Sequence, residues 1–281
     1  MSNERRLEVG DRLEGAHADS NNQPPTTNLL TVSGLTTRVG DFPVVDDVSF
    51  EVRRGETLCL VGESGSGKSM TALSIVGLVP PPGRITAGRV VLNGRDLMTL
   101  PEADLQQVRG GEIGFVFQEP MSALNPVLTI GSQIEETLRV HGMARKAARD
   151  RAVELLDFVH VPDPHVRVRD YPHQLSGGLR QRVLIALALA CSPPLVIADE
   201  PTTALDATIQ AHILELLREL QSTLGVGLLL ITHDLGVVAQ MADSVAVMQA
   251  GRIVERAAVR DLLRNPQHRY TRTLLASVPG A

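Results

Sequence analysis

Thr57-Leu-Cys-Leu-Val61 runs directly into Gly62-Glu63-Ser64-Gly65-Ser66-Gly67-Lys68-Ser69, and Met70 and an apolar-rich stretch follow. The middle segment fits G-x-x-x-x-G-K-S, and the strand pattern before it and helix pattern after it give that spacing its meaning. Glycines let the backbone wrap closely around a phosphate and aim amide N–H groups at its oxygens. A helix beginning near Lys68 adds its positive end. Lys68 would neutralise β- and γ-phosphate charge, and the Ser69 hydroxyl would ligate magnesium. Gly62 to Ser69, with Met70 at the helix start, form the candidate nucleotide-contacting set.

Around this loop, short aliphatic runs alternate with longer helical patterns, the organisation of an α/β domain. Strands are expected over 29–39, 44–52, 57–61, 89–92, 113–117, 195–198, 228–231 and 245–248. The most apolar of them read as parallel strands covered on both faces. Leu205, Ile209, Ile213, Leu216, Leu217 and Leu220 keep the 3.6-residue period and predict one buried helix face, and Ala148, Ala152, Leu155, Leu156 and Val159 predict another. Residues 119–172 are helical in pattern with no clear strand, which marks a helical insert. The first 28 residues are polar, contain Pro24 and Pro25, and read as a disordered or loosely docked arm.

Three further strand ends carry chemistry. Leu195-Val-Ile-Ala-Asp199-Glu200 delivers Asp199 to position magnesium and Glu200 to act as general base toward an attacking water. Neighbouring strand residues face opposite ways, so Glu200 can serve only if the chain turns at the strand end. His233 follows Leu228-Leu-Leu-Ile-Thr232 and is placed to hydrogen-bond a γ-phosphate and its water. Gln118 ends the run from Ile113 and is a candidate sensor of magnesium or of that water.

Composition sets bounds on this reading. The chain has 281 residues, 43% of them apolar and only 2% aromatic, so aliphatic packing must supply the core. A net charge of -5 argues against a mainly electrostatic nucleic-acid binder. Cys59 and Cys191 lie far apart in apolar runs and form no zinc-like cluster. The longest uncharged apolar run, 183–191, is far too short to span a bilayer.

A phosphate loop alone leaves Leu175-Ser176-Gly177-Gly178-Leu-Arg-Gln-Arg-Val183 unexplained, although such a turn at a helix start is a second anion-cradling surface. With Gln118, Asp199-Glu200, Ala204-Leu205-Asp206 and His233 in this order, residues 29 to about 256 resemble the nucleotide-binding subunit of an ATP-binding cassette (ABC) transporter. The resemblance implies a P-loop nucleoside triphosphate hydrolase fold with an ABC-type antiparallel β subdomain and an inserted helical subdomain. It implies ATP and Mg2+ as ligands, with Ser69, Gln118 and Asp199 toward the metal and Glu200, His233, Gln118 and Lys68 toward hydrolysis. It also implies a head-to-tail pair of ATPase subunits, identical or homologous, in which Ser176, Gly177 and Gly178 contact ATP held by the partner's loop and Asp206 couples the two sites.

Phe117-Gln-Glu-Pro-Met-Ser-Ala-Leu-Asn-Pro126, Thr232-His-Asp-Leu-Gly-Val-Val238 and the tail Asn265-Pro-Gln-His-Arg-Tyr-Thr-Arg-Thr-Leu-Leu275 are similar to the dipeptide, oligopeptide and nickel importer branch. That branch implies two membrane-spanning permease subunits docked on residues 119–133, an extracytoplasmic solute-binding protein, and a peripheral position on the cytoplasmic face of the membrane. The cassette is expected over 29–264 and a short importer-like tail over 265–281. Peptide, nickel or another small solute as cargo, and like or unlike ATPase partners, stay open at this point. Two departures stand out. The family's adenine-stacking aromatic aligns with Val39, which leaves nearby Phe42 as the candidate, and Arg269 replaces a usual proline in the tail. A soluble cassette acting on nucleic acid would call for two fused cassettes or a long coiled-coil insert, and the sequence shows one phosphate loop.

Overall fold

The computed structural model describes residues 28–203 and 205–276. The expected N-terminal arm, apart from Asn28, and the last five residues of the tail lie outside them. The chain opens with β1 (Asn28–Val39) and β2 (Phe42–Arg53), an antiparallel pair of 12 residues each with burial that switches along both strands. β3 (Thr57–Val61) is buried at all five positions. Past the glycine loop comes α1 (Lys68–Ile75), then β4 (Gly83–Leu92) and β5 (Arg95–Asp96). β4 starts six residues earlier than the apolar pattern predicts. Its first half is largely exposed and so has no apolar alternation to announce it, and antiparallel pairing with β1 makes it a strand.

α2 (Glu102–Gly111) and β6 (Ile113–Val116) precede four helices: α3 (Pro120–Ala123), α4 (Ile130–Val140), α5 (Arg145–Phe158) and α6 (Pro164–Arg167). Ala148, Ala152, Leu155 and Leu156 form the buried face of α5, and Val159 caps its end, fully buried. α7 (Gly177–Ala188) leads to β7 (Leu195–Asp199) and then to α8 (Ala207–Leu224), which buries Ile213, Leu216, Leu217 and Leu220. Leu205 and Ile209, expected on the same buried face, are only half-buried. β8 (Gly227–Thr232), α9 (Leu235–Met241), β9 (Ser244–Gln249), β10 (Arg252–Ala258), α10 (Val259–Arg264) and α11 (Arg269–Ala276) complete the described chain. β10 reads RIVERAA, a half-exposed edge strand whose charges hide it from an apolar-pattern reading.

By its own contacts the described chain divides into two units. One runs from the start of β1 to Leu105 and adds Ile197–Glu200 and everything from Gly227 onward. It holds the antiparallel sheet in the order β2-β1-β4-β5 and a second sheet in the order β10-β9-β3-β8-β7. In the second sheet β3 pairs in parallel with both β8 and β9. β3 and β8 are buried along their full length, as central parallel strands should be. The ends of β3, β7 and β8 then bring the phosphate loop, Asp199-Glu200 and His233 to one sheet edge, where α/β folds place their ligands. The other unit comprises Gln106–Val196 and Pro201–Val226 and contains β6, α3 to α8 and the serine-glycine-glycine turn.

Candidate functional site

The loop after β3 is shaped by what lies beneath it. A Cβ added to Gly62 would run into the Met248 carbonyl oxygen, and one added to Gly67 would meet the Val44 carbonyl and, at 2.8 Å, Met248 Cε. Gly67 also has φ +104, a conformation that favours glycine. Gly251 N–H donates to the Ser66 carbonyl at 2.9 Å, so the turn between β9 and β10 grips the loop from below. Ser66 Oγ is buried without a hydrogen-bond partner among the described residues. Lys68 is 4% exposed and donates from Nζ to the Gly62 and Glu63 carbonyls at 2.8 and 2.9 Å. Burial lowers its pKa, with Glu200 and Asp199 pulling the other way.

Ser69 Oγ donates to Asp199 Oδ1 at 3.0 Å, joining the loop to the end of β7. Asp199 is almost wholly buried, and its pKa rises to about 6. Burial is the main cause and the Glu200 charge adds to it, against the Ser69 hydrogen bond and Lys68. A buried carboxylate facing a hydroxyl is a hard oxygen pair that suits Mg2+ and lacks a fully compensating cation in the protein itself.

Glu200 resolves the strand-end problem. Its φ is +45, and its N–H donates to the Ile231 carbonyl at 2.9 Å, which anchors the turn on β8. That turn breaks strand alternation and brings Glu200 Oε1 to 3.2 Å from His233 Nδ1. Asp234 next to the histidine caps α9, accepting from Gly236 N–H at 2.7 Å. Gly65 carries φ +79 at the tip of the loop, and Glu63, Ser64 and Gly65 are exposed there. Met70 is half-buried on α1. Phe42 opens β2 opposite Val39 with 74% of its surface exposed.

In the other unit, Ser176 is the N-cap of α7, its Oγ accepting from Leu179 N–H. Ser176 and Gly177 are exposed, and Gly178 is buried, with Ile209 Cγ2 at 2.7 Å from where a Cβ would stand. Asp206 caps α8 by accepting Ile209 N–H at 3.0 Å. Ile209 therefore ties the turn to Asp206, which explains why it sits half-buried instead of deep in the α8 face. Gln118 is exposed just past β6, after Phe115 and Phe117, whose rings lie 4.5 Å apart. Ala204 falls outside the described residues.

Met248, Gly251 and Ile209 also shape these two turns, roles that the sequence does not announce. Their contribution is a backbone oxygen, a backbone N–H and a packed methyl group, none of which leaves a motif. The one available signal was the Ala250-Gly251 turn, where both residues have positive φ.

The chain is similar in sequence and fold to known proteins over most of its length. A family model described as ABC transporter covers residues 45–203. A putative peptide import ATP-binding protein of Brucella melitensis is 54% identical over 262 residues, spanning 89% of this chain and 78% of that protein. The dipeptide transport ATP-binding protein DppD of Bacillus subtilis is 52% identical over 257 residues, 89% of this chain and 77% of that one. Among solved structures, a dimeric post-hydrolysis state of the ATP-binding cassette MJ0796 bound to ADP and Pi aligns at TM-score 0.72. It is 32% identical and covers 82% of this chain and 99% of its own. On its sequence and on its fold, the chain belongs to the ABC transporter family.

Proposed function

We infer that this protein is the ATP-hydrolysing subunit that powers import of di- or oligopeptides through a membrane permease complex. The observation that carries the reading is the junction in one unit of Lys68, Ser69, Asp199, Glu200 and His233 around the phosphate loop. Relatives at 51–54% identity named as peptide, dipeptide and oligopeptide transport proteins support the cargo class.

In this reading, the loop N–H groups and Lys68 hold the triphosphate of ATP. Lys68 Nζ, which donates to the Gly62 and Glu63 carbonyls, is the cation that meets the phosphate charge. Ser69 and Asp199 would hold Mg2+, and the ion would neutralise charge on the phosphate oxygens. Glu200 accepts a proton from the water that attacks the γ-phosphorus while the bond to the ADP oxygen breaks. His233 holds the Glu200 carboxylate and the γ-phosphate in register. Phe42, exposed at the start of β2 two residues before Val44, whose carbonyl abuts Gly67, stacks on adenine.

The exposed Ser176-Gly177 turn completes the site of a second ATPase subunit by contacting its γ-phosphate, and Asp206 reports on that contact through Ile209. ATP then closes the pair, and hydrolysis reopens it. Among the described residues no helix is long and apolar enough to cross a membrane. We place the subunit on the cytoplasmic face through residues 119–133 docked on two permease subunits. An extracytoplasmic binding protein delivers the peptide to that complex.

The test is ATP hydrolysis by the subunit purified with its permease, with and without peptide-loaded binding protein. Stimulation by peptide, lost in Glu200→Gln, is the expected result. A complex whose turnover ignores peptides and responds to nickel would move the cargo, and a subunit with no permease partner would overturn the transport reading.

A further inference from the structure

The last described helix reaches back to the phosphate loop. Tyr270, second residue of α11, is 8% exposed, and its hydroxyl accepts the Glu63 N–H at 3.0 Å. Glu63 follows Gly62 at the point where the chain leaves β3 for the loop, so a residue 207 positions away fixes the entry to the cradle.

Tyr270 is itself held through a short chain of contacts. Glu255 on β10 accepts the N–H groups of Gln267 and His268 at 2.7 and 2.9 Å. His268 Nδ1 in turn accepts the Tyr270 N–H at 3.2 Å, and Arg272 donates to the Gln267 carbonyl at 2.9 Å. The far side of the loop is held by the same hairpin, through Gly251 N–H on the Ser66 carbonyl and Met248 Cε against Gly67. The β9–β10 hairpin thus supports both ends of the loop, one directly and one by way of Glu255, the 267–268 turn and Tyr270.

We propose that Tyr270 is a positioning residue for nucleotide binding, and that the segment 265–276 sets ATP affinity by holding the entry of the phosphate loop. The proposal rests on the loop being the ATP site. A loop whose donors are already fixed loses less freedom when phosphate arrives, so the hydroxyl acts on affinity and leaves the reacting groups alone. This gives the histidine-arginine-tyrosine stretch of the tail a function within the cassette.

Tyr270→Phe keeps the buried ring and removes only the acceptor. In the full chain with its permease, ATP Kd and KM should rise about threefold to tenfold, as for loss of one backbone hydrogen bond. The kcat should change by less than about twofold and the melting temperature by less than about 2 °C. Glu255→Gln, which weakens the support one step further out, should raise KM in the same direction by less. Wild-type ATP affinity in Tyr270→Phe overturns the proposal, as does a lowered melting temperature with affinity per folded site unchanged. Failure of the wild-type chain to bind ATP would instead remove the reading on which it rests.

Discussion

Glu200 Oε1 stands 3.2 Å from His233 Nδ1, a contact between the ends of two neighbouring strands made possible by the positive φ of Glu200. In the proposed mechanism the pair separates proton transfer from positioning. The Glu200 carboxylate would take the proton from the attacking water, and the His233 imidazole, 58% exposed, would steady it.

Glu200→Gln keeps the shape of the side chain and removes its basicity. Phosphate release should fall by about 100-fold or more, the usual worth of a placed general base. ATP binding should persist, so the variant should retain unhydrolysed ATP through gel filtration. Normal turnover would exclude Glu200 as the base.

Asp199 supplies a pH prediction. Its folded-state pKa of about 6 lies above the ordinary 3.8, so the folded protein holds this proton more tightly than the unfolded chain does. Stability contributed here is present at low pH and lost as pH rises through about 4 to 6. At pH 7 the nucleotide-free protein therefore carries a destabilising buried charge. Asp199→Asn should raise its melting temperature by about 2 °C or more and abolish hydrolysis. Magnesium-dependent ATP binding to the wild type should weaken as pH falls through about 6, because the ion needs the ionised form. A lower melting temperature for the asparagine variant at pH 7 would contradict this account.

Two glycine substitutions separate the fold from the paired site. Gly67→Ala collides with the Val44 carbonyl at positive φ, and it should destabilise the chain by about 1–3 kcal/mol and abolish ATP binding. Gly177→Ala meets only Leu205 Cδ2 at 3.5 Å, an ordinary contact. It should leave the melting temperature and single-subunit ATP affinity unchanged while lowering hydrolysis about 10-fold or more, because in the proposed pair the methyl group would stand where the partner's phosphate docks. Full hydrolysis in Gly177→Ala would argue against the head-to-tail pair.

Phe42 is an aromatic residue 74% exposed at the start of β2. Phe42→Ala should keep the melting temperature and weaken ATP binding about 10-fold, within the range for loss of one base-stacking ring. Equilibrium titration with ATP measures it directly, and unchanged affinity would remove Phe42 from the site.

The parts of the site written in local spacing were legible in the sequence. Gly62 to Ser69 occupy one loop, and Asp199-Glu200 and His233 each follow an apolar strand, so the sheet edge that collects them could be foreseen. The turn at Glu200 could not, since a positive φ at a glutamate depends on a hydrogen bond to Ile231 and leaves no mark in composition. Met248, Gly251 and Tyr270 were hidden for a similar reason: they serve a loop some 180 to 210 residues earlier through single contacts. Strand β10 and the first half of β4 escaped because exposed strands carry charge where buried ones carry aliphatic side chains. Ile209 shows the reverse case, an apolar residue in perfect helical period that is used at the turn of α7 instead of in the core.

The most direct test of the account is uptake of a labelled dipeptide into proteoliposomes that contain this subunit, its permease and the binding protein, with ATP enclosed on the side of the subunit. The account predicts accumulation that requires ATP and disappears in Glu200→Gln. Equal uptake by the wild type and Glu200→Gln, or ATP hydrolysis without any peptide accumulation, would contradict it.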